Sequence, residues 1–186
     1  MIKLEKNNTN FINFYNDLHT EMIPLDNNDD MYLILEEYLK NSKACTHKFD
    51  FDILEIFQIE REGERKNYEK YCKKIDNKML LFHGTRVSNM IGILKNGLVC
   101  DPSKLGINVN ITGKMFGLGV YFANSVSKSI QYCAYDSSEN IACVFVCEVA
   151  LGNMLKKSQS DSNLTASTLP KIYHSTWGLG NSSYTK

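Results

Sequence analysis

The chain has 186 residues, 21 Lys and Arg against 21 Asp and Glu, and 43% hydrophobic residues. This length predicts one domain with its own core, and the composition excludes a disordered chain. The balanced charge argues against a strongly electrostatic DNA-binding module, because phosphate binding needs a clustered positive excess. No apolar run reaches the roughly 18–20 residues of a membrane-spanning helix. No signal peptide is visible either, so we expect a protein that is neither secreted nor membrane-bound.

The six cysteines are scattered along the chain and form no CxxC pair. Without a secretory signal, this pattern predicts reduced thiols in a cytosolic or nuclear protein. Cys45-Thr46-His47 resembles half of a zinc site, but no second half follows at a plausible spacing. We therefore interpret the cysteines as structural and expect no bound metal.

The pattern of residues 11–74 predicts three helices, with one strand between the second and the third. Residues 11–18 carry apolar side chains at i, i+3, i+4 and i+7, which favours a short amphipathic helix packed on the domain. Polar residues 27–30 are a good helix start, and the same spacing behind them predicts a helix that ends near Asn41. Phe51–Ile59 is rich in β-branched and aromatic residues and predicts a strand. Residues 61–74 predict a short exposed helix.

The middle of the chain places a strand directly before a histidine and a glycine. Met79–Phe82 predicts a short apolar strand that runs into His83-Gly84. The apolar spacing of residues 87–94 then predicts an amphipathic helix that Gly97 closes as a C-cap. Residues 99–118 form a long glycine-containing connection, and such connections in compact domains are usually functional.

The second half predicts two more strands and a short helix. Gly119–Ala123 is expected to be a strand, and a serine at 125 or 127 to start a helix through residue 132. Ile141–Leu151 is almost continuously apolar and predicts a central strand buried on both faces. Beyond Gly152 no further strand is expected. These elements predict an α+β domain rather than a doubly wound dinucleotide-binding sheet, and Gly117-Leu118-Gly119 lacks the third glycine of that fingerprint.

Three residues are candidates for ligand contacts when judged by position alone. His83 ends a buried strand and precedes a glycine, which would let a ligand approach the backbone closely. The alternative is a structural histidine that backbone hydrogen bonds satisfy. Tyr121 and Tyr132 lie near a strand end and on the following helix, where aromatic side chains more often belong to the core. Position alone leaves both alternatives open.

Several short motifs follow one another in a fixed order from about residue 11 to about residue 182. Two of them are long: Leu80–Arg86, and the segment of residues 112–123 that reads TGKMFGLGVYFA. The other matching segments are Thr46-His47, Ile56–Gly63, Asn89, Gly92–Leu94, Gly97-Leu98, Ser127–Ser129, Tyr132-Cys133, Glu148–Met154, His174-Ser175 and Gly178–Gly180. Together they resemble the catalytic domain of poly(ADP-ribose) polymerases, most closely the DNA-damage-responsive branch.

The resemblance implies a split antiparallel sheet with flanking helices, the ADP-ribosyltransferase fold, which binds NAD+ as substrate without a metal. It implies that His83 hydrogen-bonds the ribose hydroxyls and that Gly84 and Ser129 hold the nicotinamide carboxamide. Tyr132 would stack on the nicotinamide and Tyr121 pack on its other side, which suits a cationic ring because an aromatic face is negative. The further residues implied at the NAD+ site are Thr85, Asn89, Phe122 and Ala123. The implied catalytic residues are His83, Tyr121 and Lys128. Of these, Lys128 matches a lysine that lies near the catalytic carboxylate in the family.

The implied reaction breaks the nicotinamide–ribose bond through an oxocarbenium-like transition state and transfers ADP-ribose to a protein acceptor. In polymerising members a glutamate polarises the ribose 2′-hydroxyl and the acceptor. Glu148 matches a central-strand residue instead, so we expect a sequence truncated before the glutamate strand, with the C-terminal strands missing. Two alternatives stay open: a mono-ADP-ribosyltransferase, and a catalytically dead module that binds NAD+ or ADP-ribose.

The resemblance also frames the domain organisation and the partners. Residues 1–26 are expected to be an extension, the remnant of a linker from a helical regulatory domain, and residues 27–186 an incomplete catalytic domain. Val99 and Lys114 replace an arginine and a tyrosine of this branch, and the donor loop of residues 101–114 is longer than in relatives. The expected partners are NAD+ and protein acceptors of ADP-ribose, with no DNA-binding module in this chain. We expect the protein to be a monomer that takes part in DNA repair. Its expected location is the nucleus, with the cytoplasm as the alternative.

Overall fold

The computed structural model describes residues 11–101, 106, 114–134 and 140–179. Residues 11–16 are helical, as the amphipathic spacing predicted, but the expected packing on the domain was wrong, because Phe11 and Phe14 are 70% and 69% exposed. The other helices described are α1 (Asp30–Asn41), α2 (Glu64–Cys72), α3 (Met90–Asn96) and α4 (Val126–Ile130), with a 3-10 turn at Val87–Asn89. The strands described are β1 (Thr20–Pro24), β2 (Phe57–Arg61), β3 (Lys78–Gly84), β4 (Val144–Ala150), β5 (Met154–Lys157) and β6 (Ser175–Gly178).

The helices agree well with the sequence-based expectations because their signals are local. α1 ends at Asn41, α2 lies inside the predicted segment of residues 61–74, and Gly97 follows α3 as its C-cap. The face of α1 was predicted less well, since Met31 and Ile34 are exposed. Tyr32 is the buried residue of α1, and the Tyr38 ring stacks on Phe82 with centroids 4.9 Å apart.

β1 and β2 form an antiparallel pair that runs from Thr20 opposite Arg61 to Pro24 opposite Phe57. The prediction of a strand at Phe51–Ile59 was wrong in its bounds, because residues 51–56 are irregular. A strand extends only as far as its partner, and β1 ends at a proline, which has no backbone N–H for the ladder. β1 lies within the predicted extension of residues 1–26, although its partner lies in the predicted catalytic domain.

β3 and β4 form a second antiparallel pair, with Lys78 opposite Ala150 and Gly84 opposite Val144. The prediction that β4 is buried on both faces was wrong. Its side chains are half-buried, and Glu148 is exposed. Among the described residues, β4 pairs along one edge only, and α4, which packs against it, is only five residues long.

The predicted strand at Gly119–Ala123 was also wrong, because this segment makes one isolated bridge between Phe82 and Ala123. The two residues exchange backbone hydrogen bonds of 2.8 and 2.9 Å. Gly117 turns the chain with a φ of 83°, in the left-handed region that favours glycine. The chain therefore curls towards β3 instead of extending alongside it.

The expectation of no strand beyond Gly152 was wrong as well. β5 and β6 pair in parallel, from Met154 opposite Ser175 to Lys157 opposite Gly178. Each has four residues and no marked alternation, so the periodicity signal is too short to reveal them. The α+β class with small antiparallel sheets is confirmed, and the β5–β6 pair adds a parallel one.

The most deeply buried residues lie where the start of α4 meets β3. The fully buried side chains there are Phe82, Val126, Ser125 and Ser127. Leu81, which precedes Phe82, and Cys133, which follows α4, are also buried, with 8% and 2% exposed. This packing fixes the end of β3 against α4, which is where the predicted site residues lie. Within the described ranges, no helix combines the length and the apolar character that a membrane crossing requires.

Candidate functional site

His83 and Gly84 are the last two residues of β3. Both residues are anchored by Phe82, which precedes them, is fully buried and bonds to Ala123 through both of its backbone polar groups. Side chains alternate between the two faces of a strand. His83 therefore projects to the face opposite that of Phe82 and remains half-buried.

The His83 imidazole is oriented by one hydrogen bond and one ring contact. Its Nδ1 lies 2.8 Å from the carbonyl oxygen of Tyr121. A carbonyl oxygen only accepts, so Nδ1 carries the proton and donates it. The Phe122 ring meets the imidazole edge-on, with centroids 5.8 Å apart. In the neutral ring, Nε2 then keeps a lone pair that can accept a hydrogen bond from a ligand hydroxyl.

Gly84 touches the backbone of α4 so closely that no side chain fits. A Cβ atom at this position would lie 1.8 Å from the carbonyl oxygen of Ser129. The Ser129 hydroxyl donates to the carbonyl oxygen of Phe82 at 3.1 Å, and the residue is 3% exposed. The requirement for glycine is therefore steric, and the contact joins Gly84 to the backbone carbonyl of Ser129.

Tyr121 is anchored at both ends. Its backbone carbonyl accepts from His83, and its hydroxyl accepts from the N–H of Phe116 at 2.9 Å and donates to the carbonyl of Gly117 at 2.7 Å. The ring is 38% exposed. Tyr121 thus presents a fixed, accessible aromatic face. The role of Phe116 and Gly117 in holding it was not predicted, although both lie in the quoted motif.

The anchor of Tyr121 rests in turn on a distant loop. The N–H of Leu118 donates to the carbonyl oxygen of Leu164 at 2.8 Å. A Cβ atom on Gly117 would lie 2.0 Å from that oxygen, so this glycine permits the contact. Lys157 bonds Asp161 at 2.7 Å and lowers the pKa of the Asp161 carboxyl, which helps to hold the loop.

Tyr132 and Lys128 are the exposed members of the predicted set. The prediction that Tyr132 lies on this helix was wrong, because α4 ends at Ile130 and Tyr132 lies in the turn that follows. Its N–H donates to the carbonyl of Ser129 at 3.0 Å, and its side chain is 54% exposed. Lys128 is exposed on α4, next in the chain to Ser129. Both side chains are accessible to a ligand.

Thr85 and Asn89 continue the chain from Gly84. The side-chain amide of Asn89 donates to the hydroxyl of Thr85 at 2.9 Å. Cys133 lies close to Thr85, and burial raises the pKa of its thiol, which a contact with the Thr85 backbone partly offsets. The thiol contacts the carbonyl oxygen of Ser129 at 3.6 Å. Cys133 therefore acts as a structural thiol behind the site.

In the segment Cys45-Thr46-His47, which resembled half of a zinc site, the histidine contacts a serine of α4. His47 Nδ1 lies 2.7 Å from the hydroxyl oxygen of Ser127. Within the part of the chain that the structure covers, no group of three or more His, Cys, Asp or Glu side chains could hold a metal ion. Residues 102–105 and 107–113 of the predicted donor loop, and Gly180 of the last motif, lie outside the described residues.

Comparisons with known proteins agree on one family. The family model for the poly(ADP-ribose) polymerase catalytic domain matches residues 29–186. The chain is 39% identical over 167 residues to a poly [ADP-ribose] polymerase of Sarcophaga peregrina, covering 89% of this chain and 16% of the relative. It is 41% identical over 167 residues to poly [ADP-ribose] polymerase 1 of Gallus gallus, with the same coverage of 89% and 16%. For poly [ADP-ribose] polymerase 1 of Danio rerio the identity is 42% over 171 residues, with coverage of 90% and 16%. The chain thus spans 16% of the length of these curated relatives.

Proposed function

Because the chain belongs to the poly(ADP-ribose) polymerase catalytic domain family, we propose that it carries out NAD+-dependent ADP-ribosyl transfer to protein acceptors, with release of nicotinamide. The observation that carries the proposal is the convergence of His83, Gly84 and Ser129 at the junction of β3 and α4. The proposal includes the division into an extension of residues 1–26 and a catalytic domain of residues 27–186.

The nicotinamide pocket is proposed to lie next to the contact between Gly84 and Ser129, which itself leaves no space for a ligand. A carboxamide group has donors and an acceptor, and backbone N–H and C=O groups satisfy both. Gly84 presents its backbone without a side chain in the way, and the Ser129 hydroxyl, which donates to the Phe82 carbonyl, keeps acceptor positions for the carboxamide. Two walls complete the pocket. The Tyr121 ring is held by its hydroxyl, while the Tyr132 ring is accessible from the turn after α4.

This pocket suits the charge distribution of NAD+. The nicotinamide ring is cationic while it is bonded to ribose, and aromatic faces attract a cation. When the glycosidic bond breaks, the positive charge moves to the ribose and nicotinamide leaves as a neutral molecule. The leaving group therefore needs little acid catalysis. The work of the site is to hold and orient the ribose, which removes an entropic part of the barrier.

His83 is the proposed ribose ligand. Its Nδ1 proton is committed to the Tyr121 carbonyl, so Nε2 accepts from a ribose hydroxyl. Lys128, exposed on α4, is proposed to lie near the carboxylate that polarises the ribose and the acceptor. Thr85, Asn89, Phe122 and Ala123 are proposed as further NAD+ contacts. They adjoin His83 or Gly84, or are placed by the bridge at Phe82.

The decisive experiment follows labelled NAD+ into protein by intact mass and measures nicotinamide release. We expect both signals from the full-length wild-type protein and neither from its His83→Ala variant. His19→Ala is the matched control, because His19 is an exposed histidine whose Nδ1 lies 3.3 Å from the Glu62 carboxylate, remote in sequence from the site. Single mass steps of one ADP-ribose would identify a mono-transferase. Binding of a benzamide-type nicotinamide mimic without transfer would instead indicate a binding module. No binding of the mimic at saturation would overturn the proposal.

The proposal extends to location and partners. Given the family, we propose a nuclear location, protein acceptors of ADP-ribose and a monomeric state. Imaging of the tagged protein in its own cells and light scattering of the purified protein test these points. A cytoplasmic signal or a dimer mass would refute the corresponding part without affecting the chemistry.

A further inference from the structure

A row of buried serines opens α4. Ser125 and Ser127 are fully buried, and Ser129 is 3% exposed. Buried hydroxyls need hydrogen-bond partners, so each of them reports what it holds in place. Ser129 belongs to the proposed nicotinamide pocket. Ser127 lies two residues earlier, where the sequence pattern indicated only a helix start.

The hydroxyl of Ser127 has three partners from two parts of the chain. It accepts from the backbone N–H of Ala44 at 2.9 Å and lies 2.7 Å from His47 Nδ1 and 3.0 Å from the hydroxyl of Ser125. A hydroxyl offers one donor and two acceptor positions, which these three contacts fill. Ala44 and His47 are 83 and 80 residues away in sequence. The hydroxyl therefore ties the segment of residues 44–47 to the start of α4.

α4 depends on such ties because it is short. It has five residues, and a helix of that length is not stable by itself in water. The internal backbone bond from the Ser129 N–H to the Ser125 carbonyl is 3.3 Å long. Tertiary contacts thus determine where α4 lies. The contact between Ser129 and Gly84 has no slack, so a shift of α4 changes the pocket directly.

We propose that Ser127 is a positioning residue for the nicotinamide pocket: its hydroxyl, clamped by Ala44 and His47, holds α4 so that Ser129 faces Gly84. The inference rests on the proposed function, since it concerns the same pocket. It assigns to the segment of residues 44–47 the role of a remote support. Neither Ala44 nor His47 needs to touch the ligand in order to affect its affinity.

The test measures binding of 3-aminobenzamide by calorimetry, well below the melting temperature of every variant. Calorimetry separates the dissociation constant from the stoichiometry, which reports the fraction of folded protein. Ser127→Ala leaves the buried Ala44 N–H without this acceptor, so we expect the dissociation constant to rise at least about fivefold at a stoichiometry near one. Thr20→Ala is the matched control, because it removes a buried hydroxyl whose partners are the Leu18 and Leu94 carbonyls and not α4, and we expect less than about a twofold change.

A second variant keeps the test decisive if Ser127→Ala does not fold. His47→Ala removes one clamp from a half-buried position and should weaken binding in the same direction. The double variant should bind 3-aminobenzamide no more weakly than Ser127→Ala does, because both substitutions break the same contact between His47 and Ser127. A lower stoichiometry with an unchanged dissociation constant in these variants would show mere destabilisation and overturn the inference. If the wild type fails to bind the mimic, the proposed function and this inference fall together. Wild-type binding with unaffected variants defeats the inference alone.

Discussion

Replacement of Gly84 by alanine is the sharpest test of the pocket geometry. The added Cβ atom would lie 1.8 Å from the Ser129 carbonyl oxygen, 2.5 Å from its carbonyl carbon and 3.1 Å from its Cα. An ordinary contact begins at 3.4 Å, so α4 and β3 must separate locally by well over an ångström. No flexible side chain can yield here, because the atoms approached all belong to the backbone.

The expected cost follows from two effects. Overpacking of a well-packed interior costs about 1–3 kcal/mol. Separation also weakens the 3.1 Å hydrogen bond that the buried Ser129 hydroxyl donates to the Phe82 carbonyl. A buried donor left unsatisfied costs about 1–3 kcal/mol. Partial relaxation makes the two overlap, so we expect Gly84→Ala to lower the free energy of unfolding by about 2–4 kcal/mol.

Two measurements check this prediction. Urea unfolding gives the stability change, and the melting temperature with and without 3-aminobenzamide gives ligand binding. We expect the variant to lose the ligand-induced shift. Gly92→Ala is the matched control, because Gly92 is helical and a Cβ there meets nothing within 4 Å. Alanine should stabilise that helix by about 0.5–1 kcal/mol. Stability of Gly84→Ala within 0.5 kcal/mol of the wild type, as an approximate threshold, would refute the steric reasoning.

Three further predictions concern single side chains. Tyr132→Ala should weaken 3-aminobenzamide binding about tenfold while the melting temperature of the unliganded protein barely changes, because the ring is 54% exposed; equal affinity by calorimetry would remove Tyr132 from the pocket. Tyr38→Phe should cost about 1 kcal/mol in urea unfolding, since the hydroxyl donates to the Leu80 carbonyl at 2.6 Å, and an unchanged midpoint would contradict this. Burial, aided by the Glu64 carboxylate, raises the pKa of the Cys147 thiol from 9.0 to about 11. Between these two pKa values the Cys147 thiol stays protonated in the folded chain but ionises in the unfolded chain. The free energy of unfolding is therefore fully retained below pH 9 and falls as the pH rises to 11. Cys147→Ala should remove up to about 1.4 kcal/mol per pH unit from the slope of stability there, and parallel curves for variant and wild type would disprove the assignment.

The sequence alone determined the features that depend on near neighbours. α1 was predicted with both ends and α3 with its C-terminal end, because helix hydrogen bonds join residues four apart and caps are equally local. β3 and the position of His83-Gly84 at its end were predicted for the same reason, from a short apolar run. The order of the motifs was sufficient to identify the family, which the comparisons confirmed.

Only the tertiary structure decided which distant segments meet. The parallel pairing of β5 with β6, the single bridge at Ala123 and the half-buried state of β4 depend on partners remote in sequence. The site shows the same division. Sequence named His83 and Gly84, but the contact with the Tyr121 carbonyl sets the tautomer of the histidine, and the contact with Ser129 explains the glycine. Hydrophobic periodicity records which face of an element is buried, but it carries no information about which segment covers that face.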